Sequence, residues 1–373
     1  MRVREVFLVA GEVSGDLHAA AVARALAAQR PDLSLAGIGS TCMAAAGVAL
    51  VERSERLAAL GFIEVIRQVP HHWRLLREVR ARLRSGRVSL LVLLDYPGFN
   101  LKLAAAAHDA GVPVLYYITP QVWAWGPGRL AEIARIVTKA AVILPFEEAL
   151  LRKAGVDATF VGHPLLDHAA MLPDRTTARA RLGIDPGARV LALFPGSRGQ
   201  EVARHLDVFV AAARRLEARI PGLQPVVSVA PGMTIDAARC PYPQRHDASY
   251  DVLRAADAAL CKSGTTTLEA AVAECPLVIA YKTNALTAVI ARRVIRVPHI
   301  GLVNIVAQRE VAREFWQEFA TAEALADAVE PLLDAASAAR RRMVADLAQV
   351  HASLGTPGAS ARVAQLASEM LPP

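Results

Sequence analysis

The sequence has few aromatic residues, few cysteines and no long hydrophobic run. Only 5% of its 373 residues are Phe, Trp or Tyr, and no nucleic-acid-binding motif occurs, so we expect no nucleic-acid partner. The four cysteines are scattered without a CxxC pair, which indicates reduced thiols and not a disulfide framework. Apolar runs such as residues 6–10, 90–94 and 140–146 are far shorter than the roughly 18 residues of a spanning helix. The sequence therefore predicts a protein without membrane spans.

The composition is that of a folded, basic protein. Hydrophobic residues make up 54% and charged residues 21% of the chain, which excludes an intrinsically disordered protein. The net charge is +7 and the isoelectric point is near 9.5, which favours an anionic partner such as a phosphorylated substrate or an acidic membrane surface. The apolar stretch at residues 6–10 is too short for a secretory signal, so we interpret it as a buried strand of a cytoplasmic protein.

The order of the apolar runs predicts an α/β fold. Continuous apolar runs alternate with Ala-rich helical stretches, a pattern typical of a parallel sheet covered on both faces. The pattern pauses near residue 172 and then restarts, which indicates two doubly wound Rossmann-like halves. We expect an N-terminal domain over residues 1–171, a second domain over residues 172–345 and a helical tail over residues 346–373.

Two acidic turns follow strands in the first half. Residues 11–16 (GEVSGD) lie between the first strand and the first helix, where doubly wound folds bind ligands, but they match neither the dinucleotide fingerprint nor the P-loop. Ser14 or Asp16 could equally cap the helix. Asp95 directly follows the strand at residues 90–94, where a carboxylate can take a proton from a hydroxyl nucleophile; alternatively, it caps the helix that begins near Asn100.

Two turns of the second half suit a phosphate. Residues 194–199 (FPGSRG) place Arg198 beside backbone N–H groups at a helix start, which is an anion site. In residues 262–269 (KSGTTTLE) the Ser263–Gly264–Thr265 turn opens another helix, and Glu269, one turn inside it, could hold the ribose hydroxyls of a nucleotide. There is no HExxH or Asp-x-Asp pattern, which argues against a metal that bridges a diphosphate.

Two further features allow more than one interpretation. Trp123 and Trp125 share one loop and could stack on a sugar or an acyl group, or simply close the domain edge. In residues 67–87, Arg74, Arg77 and Arg80 lie beside an apolar stripe that includes Trp73 and Leu76. Such a helix either lies on an anionic lipid surface or has an ordinary solvated face over core packing.

Together these segments resemble the lipid-A-disaccharide synthase family of bacterial glycosyltransferases. The matching stretches run in family order from residue 9 to about residue 317: VAGEVSGDLHAA, LGFIEV, LLDYPGFN, YYITPQVWAW, LPFE, FVGHPLLD, LFPGSRGQEV and SGTTTLEA. The resemblance implies a GT-B fold, with two Rossmann-like domains facing a central cleft, and an inverting reaction that needs no metal or other cofactor. It implies UDP-2,3-diacylglucosamine as donor and 2,3-diacylglucosamine 1-phosphate as acceptor, joined by a β(1→6) bond.

The resemblance also assigns residues and a location. The acceptor and reaction side would contain Glu12, Ser14, Asp16 and Asp95, with Asp95 as the base. The UDP side would contain Gly196, Ser197, Arg198, Ser263, Gly264, Thr265, Glu269 and Asn304. The basic helix would hold the enzyme at the anionic cytoplasmic leaflet of the inner membrane, through Trp73, Arg74, Leu76, Arg77 and Arg80. Whether the chain forms a homodimer is left open.

The sequence departs from the family pattern at residues 40–43 (STCM), at Lys262, where a small residue is usual, and at residues 303–308 (VNIVAQ). Two rival functions remain. One is another UDP-sugar GT-B enzyme, such as a peptidoglycan N-acetylglucosaminyltransferase or a UDP-N-acetylglucosamine epimerase. The GEVSGD turn and the paired tryptophans argue against both of these enzymes. The other is a catalytically silent lipid- or nucleotide-binding protein, which the acidic residues make less attractive.

Overall fold

The chain forms two compact α/β units. The structure is a computed structural model, and it describes residues 4–56, 62–169, 172–284 and 298–372. The first unit consists of Met1–Asp167 together with Gly355–Pro373, and the second of His168–Leu354. Residues 346–373 were expected to form a helical tail, and in the structure the last 19 of these belong to the first unit.

A seven-stranded, all-parallel sheet forms the centre of the first unit. Its strands are β1 (Glu5–Ala10), β2 (Ser34–Gly39), β3 (Ala49–Arg53), β4 (Val88–Leu94), β5 (Val114–Tyr117), β6 (Lys139–Val142) and β7 (Ala158–Phe160). Their spatial order is β3-β2-β1-β4-β5-β6-β7. Along β1, Val6 and Leu8 face one buried cluster while Phe7 and Val9 face another. Both faces of the strand are therefore covered, which explains its uninterrupted apolar sequence.

Helices cover both faces of this sheet. They are α1 (Val13–Gln29), α2 (Thr41–Ala45), α3 (Phe62–Arg84), α4 (Pro97–Asp109), α5 (Val122–Trp125), α6 (Leu130–Ile136), α7 (Glu147–Lys153) and α8 (Leu165–Ala169). The last helix of the chain, α16 (Ala359–Glu369), also packs here, against α1. Val363, Ala364 and Ala367 of α16 join the same buried cluster as Ala19 and Ala23 of α1. The small side chains allow the two helices to approach closely.

The second unit repeats the plan with six parallel strands. They are β8 (Arg189–Phe194), β9 (Leu223–Val229), β10 (Gln244–His246), β11 (Ala258–Lys262), β12 (Leu277–Tyr281) and β13 (Glu314–Trp316), in the order β10-β9-β8-β11-β12-β13. Its helices are α9 (Arg175–Leu182), α10 (Gly199–Arg219), α11 (Ser249–Ala255), α12 (Thr266–Val272), α13 (Leu302–Ala307), α14 (Ala322–Val329) and α15 (Ala338–Ser353). Four 3-10 turns complete the description: Ser54–Arg56, Pro127–Arg129, Gln317–Phe319 and Glu330–Leu332.

Each sheet reverses its strand order at one point. In the first unit the chain runs outward from β1 to β3 and then returns to place β4 beside β1; in the second it runs from β8 to β10 and returns with β11 beside β8. Open α/β sheets bind ligands beyond the carboxyl ends of the strands at such a switch point. The fold therefore points to the turns after β1 and β4, and to those after β8 and β11. None of the helices in the described residues has the apolar length that a membrane span requires.

Candidate functional site

The acidic turns of the first unit lie side by side at its switch point. Ala10 at the end of β1 is the register partner of Leu94 at the end of β4. Gly11 and Glu12 therefore leave one strand where Asp95 leaves its neighbour. Glu12 and Asp95 are both half-buried, so two carboxylates stand at the edge where the fold predicts a ligand.

The turn that carries Asp95 has an unusual backbone. Asp95 and Tyr96 both have φ of 46°, in the left-handed region that side chains other than glycine rarely adopt. The Asp95 carbonyl accepts hydrogen bonds from the Tyr116 hydroxyl (2.7 Å) and the Asn100 side-chain amide (2.8 Å). The same amide donates to the Leu94 carbonyl at 3.0 Å. Buried Asn100 and Tyr116 thus hold a strained turn, and strain of this kind concentrates at functional sites.

Tyr96 connects the two acidic turns. A Cβ on Gly11 would lie 2.3 Å from the Tyr96 ring, so only glycine fits between the end of β1 and this ring. Partial burial, together with the negative charge of Glu12, raises the pKa of Tyr96. The Tyr96 hydroxyl lies 3.3 Å from His72 Nε2 on α3. A small cavity of about 170 Å³ extends from Tyr96 to Trp73 along α3 and the first turn of α4.

Asp16, which was expected among the reaction residues, makes structural hydrogen bonds. Its carboxylate is buried and accepts the backbone N–H groups of Ser40 (2.5 Å), Cys42 (2.9 Å) and Met43 (3.3 Å). Both carboxylate oxygens are therefore used to cap the start of α2 and tie it to α1. Ser14 lies in the first turn of α1, and its side chain is outside the described part of the structure.

Buried Glu147 supports the tryptophan loop. It lies at the start of α7, just beyond β6, and accepts hydrogen bonds from Trp123 Nε1 (3.1 Å) and from the Leu144 backbone N–H (3.2 Å). The Trp123 ring also packs edge-on against Phe146, with centroids 5.0 Å apart. Burial outweighs these hydrogen bonds and raises the pKa of Glu147 to about 7. Of the second tryptophan of this loop, Trp125, the structure describes the backbone in α5 only.

The first phosphate-type turn of the second unit is braced by Glu201. Gly196 has φ of 131°, and a Cβ there would lie 2.5 Å from Glu201 Cβ. The Ser197 N–H donates to Glu201 Oε2 at 3.0 Å. Exposed Arg198 is the N-cap residue of α10. The charge of Arg198 therefore lies at the positive end of a 21-residue helix. This arrangement favours the binding of an anion.

The second turn leaves β11, the neighbour of β8 across the switch point; Phe194 and Cys261 are register partners. The Ser263 hydroxyl donates to the Ile300 carbonyl at 2.8 Å, so it fixes the loop conformation. Gly264 and Thr265 continue the turn, and Thr265 is exposed. Burial raises the pKa of Glu269 to about 7. No hydrogen-bond partner for Glu269 occurs among the described residues, a state that suits a carboxylate awaiting ligand hydroxyls.

Asn304, which was expected on the UDP side, makes structural hydrogen bonds in the loop before β13. It is fully buried. Its Nδ2 donates to the Ala312 carbonyl (2.6 Å) and to Glu314 Oε1 (2.7 Å), while its Oδ1 accepts from the N–H groups of Val311 (2.7 Å) and Ala312 (2.9 Å). These four hydrogen bonds use the whole hydrogen-bonding capacity of the amide, so Asn304 shapes the loop before β13.

The apolar stripe of the basic helix α3 is buried at Leu76 and exposed at Trp73. Leu76, which was expected at the membrane contact, is only 4% exposed and packs in the core of the first unit. Trp73 is 61% exposed, and its ring lies 6.0 Å from Lys102 Nζ. Arg74, Arg77 and Arg80 line a shallow groove of about 580 Å³ beside Trp73. An exposed tryptophan among arginines is suited to an anionic lipid surface.

Several supporting residues were not assigned a role in the sequence analysis. Asn100, Glu147 and Glu201 lie inside the motifs LLDYPGFN, LPFE and PGSRGQEV, so the motifs themselves were the available signal. Tyr116 likewise lies inside the motif YYITPQVWAW. Glu314 carries no such signal, because its partners are set by tertiary packing. No cluster of three or more metal-binding side chains occurs in the described ranges.

Comparisons with known proteins agree with these motifs. The family described as Lipid-A-disaccharide synthetase matches residues 6–368. The Lipid-A-disaccharide synthase of Syntrophotalea carbinolica is 42% identical over 98% of this chain and 95% of its own. The glycotransferase of kitacinnamycin superposes with a TM-score of 0.65 at 17% identity, covering all of both chains. Medicago truncatula UGT71G1 complexed with UDP-glucose has a TM-score of 0.61 at 13% identity, covering 99% of this chain and 98% of its own.

The solved structures show a shared GT-B fold, which confirms the predicted fold class. The family match and the full-length relatives give the activity, formation of the lipid A disaccharide by glycosyl transfer. The strained acidic turn after β4 and the paired turns after β8 and β11 lie within motifs that carried the resemblance. The chain therefore belongs to the lipid-A-disaccharide synthase family of glycosyltransferases.

Proposed function

We propose that this chain joins UDP-2,3-diacylglucosamine to 2,3-diacylglucosamine 1-phosphate by a β(1→6) bond, with inversion and without a metal ion, and releases UDP. One observation carries the proposal: each unit has its motif turns at a sheet switch point, with carboxylates in the first and a cation in the second. A carboxylate can accept the proton of an acceptor hydroxyl, and a cation can bind a diphosphate. Family membership supports the reaction that connects the two.

Asp95 is the proposed general base. It would take the proton of the acceptor 6-hydroxyl while that oxygen forms a bond to the anomeric carbon and the bond to UDP breaks. The two hydrogen bonds to its carbonyl hold the backbone at Asp95, where φ is 46°. A base carried on a backbone that is held in place before substrate arrives loses less entropy in the reaction. Glu12, on the adjacent turn, would orient the acceptor.

The donor nucleotide is assigned to the second unit. Arg198, at the N-terminus of α10, would neutralise the diphosphate and stabilise the charge that grows on departing UDP. The backbone N–H groups of Gly196–Ser197 and Ser263–Gly264–Thr265 would add neutral donors to its oxygens. Glu269 would accept hydrogen bonds from the ribose hydroxyls. These charges and dipoles supply the electrostatic stabilisation that a metal ion supplies in other enzymes.

The membrane assignment rests on α3. Trp73, Arg74, Arg77 and Arg80 present one exposed aromatic ring and three cations on one helix, and the basic groups are each worth about 1 kcal/mol near an anionic surface. The cavity that runs from Trp73 to Tyr96 gives a path from this surface toward the Asp95 turn within the first unit. We therefore assign the enzyme to the cytoplasmic face of the inner membrane, where its lipid-like substrates would be bound.

The stereochemistry and the metal requirement test this proposal together. The purified protein is incubated with both acylated sugars, with and without excess chelator, and the new glycosidic bond is analysed by NMR. We expect a β-linked disaccharide at an unchanged rate in chelator. An α-linked product would contradict the inverting mechanism, and loss of turnover that added magnesium restores would contradict the metal-free one.

A further inference from the structure

A partly buried ion pair joins the two phosphate-type turns of the second unit. Lys262 Nζ lies 2.8 Å from Glu201 Oε1, and the two side chains are only 18% and 17% exposed. Glu201 already braces the first turn, because its other oxygen accepts the Ser197 N–H. Lys262 is the last residue of β11 and directly precedes Ser263. The pair therefore connects the turn after β8 to the turn after β11, across the switch point.

The ammonium group of Lys262 lies close to the second phosphate-type turn. A Cβ placed on Gly264 would lie 3.5 Å from Lys262 Nζ, so the side chain folds over the second turn and stays close to its backbone. An ammonium group has three N–H donors, and Glu201 is its one hydrogen-bond or ion-pair partner among the described residues. The two other N–H donors of Lys262 therefore remain available to a ligand near the two turns.

The local charges show what Lys262 adds. Burial opposes the charge of Glu201, but the hydrogen bond and charge of Lys262, and to a smaller extent the charge of Arg198, lower the pKa of that carboxyl. His205 accepts the Lys282 N–H at Nε2 (2.9 Å), and burial lowers its pKa, so it contributes no charge near neutral pH. Without Lys262, the charges of Arg198 and Glu201 would cancel. With it, the group is net positive, as a diphosphate requires.

We propose that Lys262 is a diphosphate-binding residue, which stays paired with Glu201 and directs its remaining donors at the phosphate oxygens of the UDP-sugar. This assignment rests on the proposed donor site and deepens it. Glu201 has the role of a positioning residue: it holds the Ser197 turn with one oxygen and Lys262 with the other. The donor site would then contain two side-chain cations, Arg198 from the first turn and Lys262 from the second.

The test separates direct contact from simple neutralisation of Glu201. UDP and uridine affinities are measured by calorimetry for the wild type, Lys262→Met, Glu201→Gln and the double variant, with Arg219→Ala as the matched control. Arg219 lies on the same helix as Glu201 but pairs with Asp327 and Glu330 at the surface. Loss of one charge-assisted contact typically lowers affinity about tenfold to hundredfold.

We expect Lys262→Met to weaken UDP binding by that factor in both the wild-type and the Glu201→Gln backgrounds, with uridine binding and the control unchanged. If the effect disappears in the Glu201→Gln background, Lys262 acts only by neutralising Glu201 and the proposal is wrong. Unchanged UDP affinity in Lys262→Met also overturns it, while the donor site stands. A wild-type protein that binds no UDP would instead contradict the proposed function itself.

Discussion

Replacing Glu147 by Gln should make the stability of the first unit less sensitive to pH. Burial raises the pKa of Glu147 from its ordinary value of 4.5 to about 7. In the folded protein the charged form is therefore disfavoured. The stability that the neutral form contributes is fully present below pH 4.5 and is lost as the pH rises through about 7. A glutamine side chain does not ionise, so the Glu147→Gln variant avoids this loss.

The size of the effect follows from the pKa. Each tenfold change in proton affinity is worth about 1.4 kcal/mol, so the wild type should lose about 2–3 kcal/mol between pH 5 and pH 8 that the variant keeps. For a domain of this size, that corresponds to about 5–10 °C in melting temperature. The amide of the variant retains one acceptor for Trp123 or Leu144 but not for both, which lowers stability by about 1 kcal/mol at every pH.

The assay compares the melting temperatures of the two proteins from pH 5 to pH 8. The variant should be equal to or less stable than the wild type at pH 5 and more stable at pH 8. Buried His163, whose pKa is lowered to about 4, has the opposite pH dependence, but it is present in both proteins and cancels in the difference. A melting-temperature difference that does not change with pH would refute the reasoning.

Three further predictions concern the proposed site. Asp95→Asn should lower turnover by about 10²–10⁴-fold with UDP affinity nearly unchanged, and near-normal turnover would rule out Asp95 as the base. Arg198→Ala should weaken UDP binding about tenfold or more without lowering the melting temperature. Equal UDP affinities of variant and wild type by calorimetry would contradict the assignment of Arg198 to the diphosphate. Replacing Arg74, Arg77 and Arg80 together by Glu should release the protein from anionic vesicles while sparing UDP binding, and normal vesicle sedimentation would exclude this surface as the membrane contact.

The sheets were predictable where strands are buried on both faces. The runs at residues 90–94 and 190–194 are uninterrupted in apolar residues and appear as β4 and β8. Strand β2 has no such run, because its sequence, SLAGIG, contains two glycines and a serine. A Cβ on Gly37 would lie 2.1 Å from the Leu8 carbonyl oxygen, so close strand approach demands glycine there. A single sequence does not reveal that requirement.

The site was predictable as a set of turns but not in the role of each side chain. The resemblance assigned Asp16 to the reaction side and Asn304 to the UDP side, yet most of their hydrogen-bond partners are backbone groups brought near by folding. Trp73 and Leu76 share one apolar stripe in the sequence, and only packing against the sheet shows that Leu76 is buried and Trp73 exposed. Motif position thus predicts where a residue lies more reliably than what its side chain does.

The proposed reaction predicts that UDP release and disaccharide formation are coupled one to one. The most direct test is a time course in which UDP and disaccharide are quantified in the same reaction, starting from the purified protein, UDP-2,3-diacylglucosamine and 2,3-diacylglucosamine 1-phosphate. We expect the two products to appear in equal amounts and neither to form when the acceptor is omitted. UDP released without disaccharide, or a donor epimerised without transfer, would contradict the account.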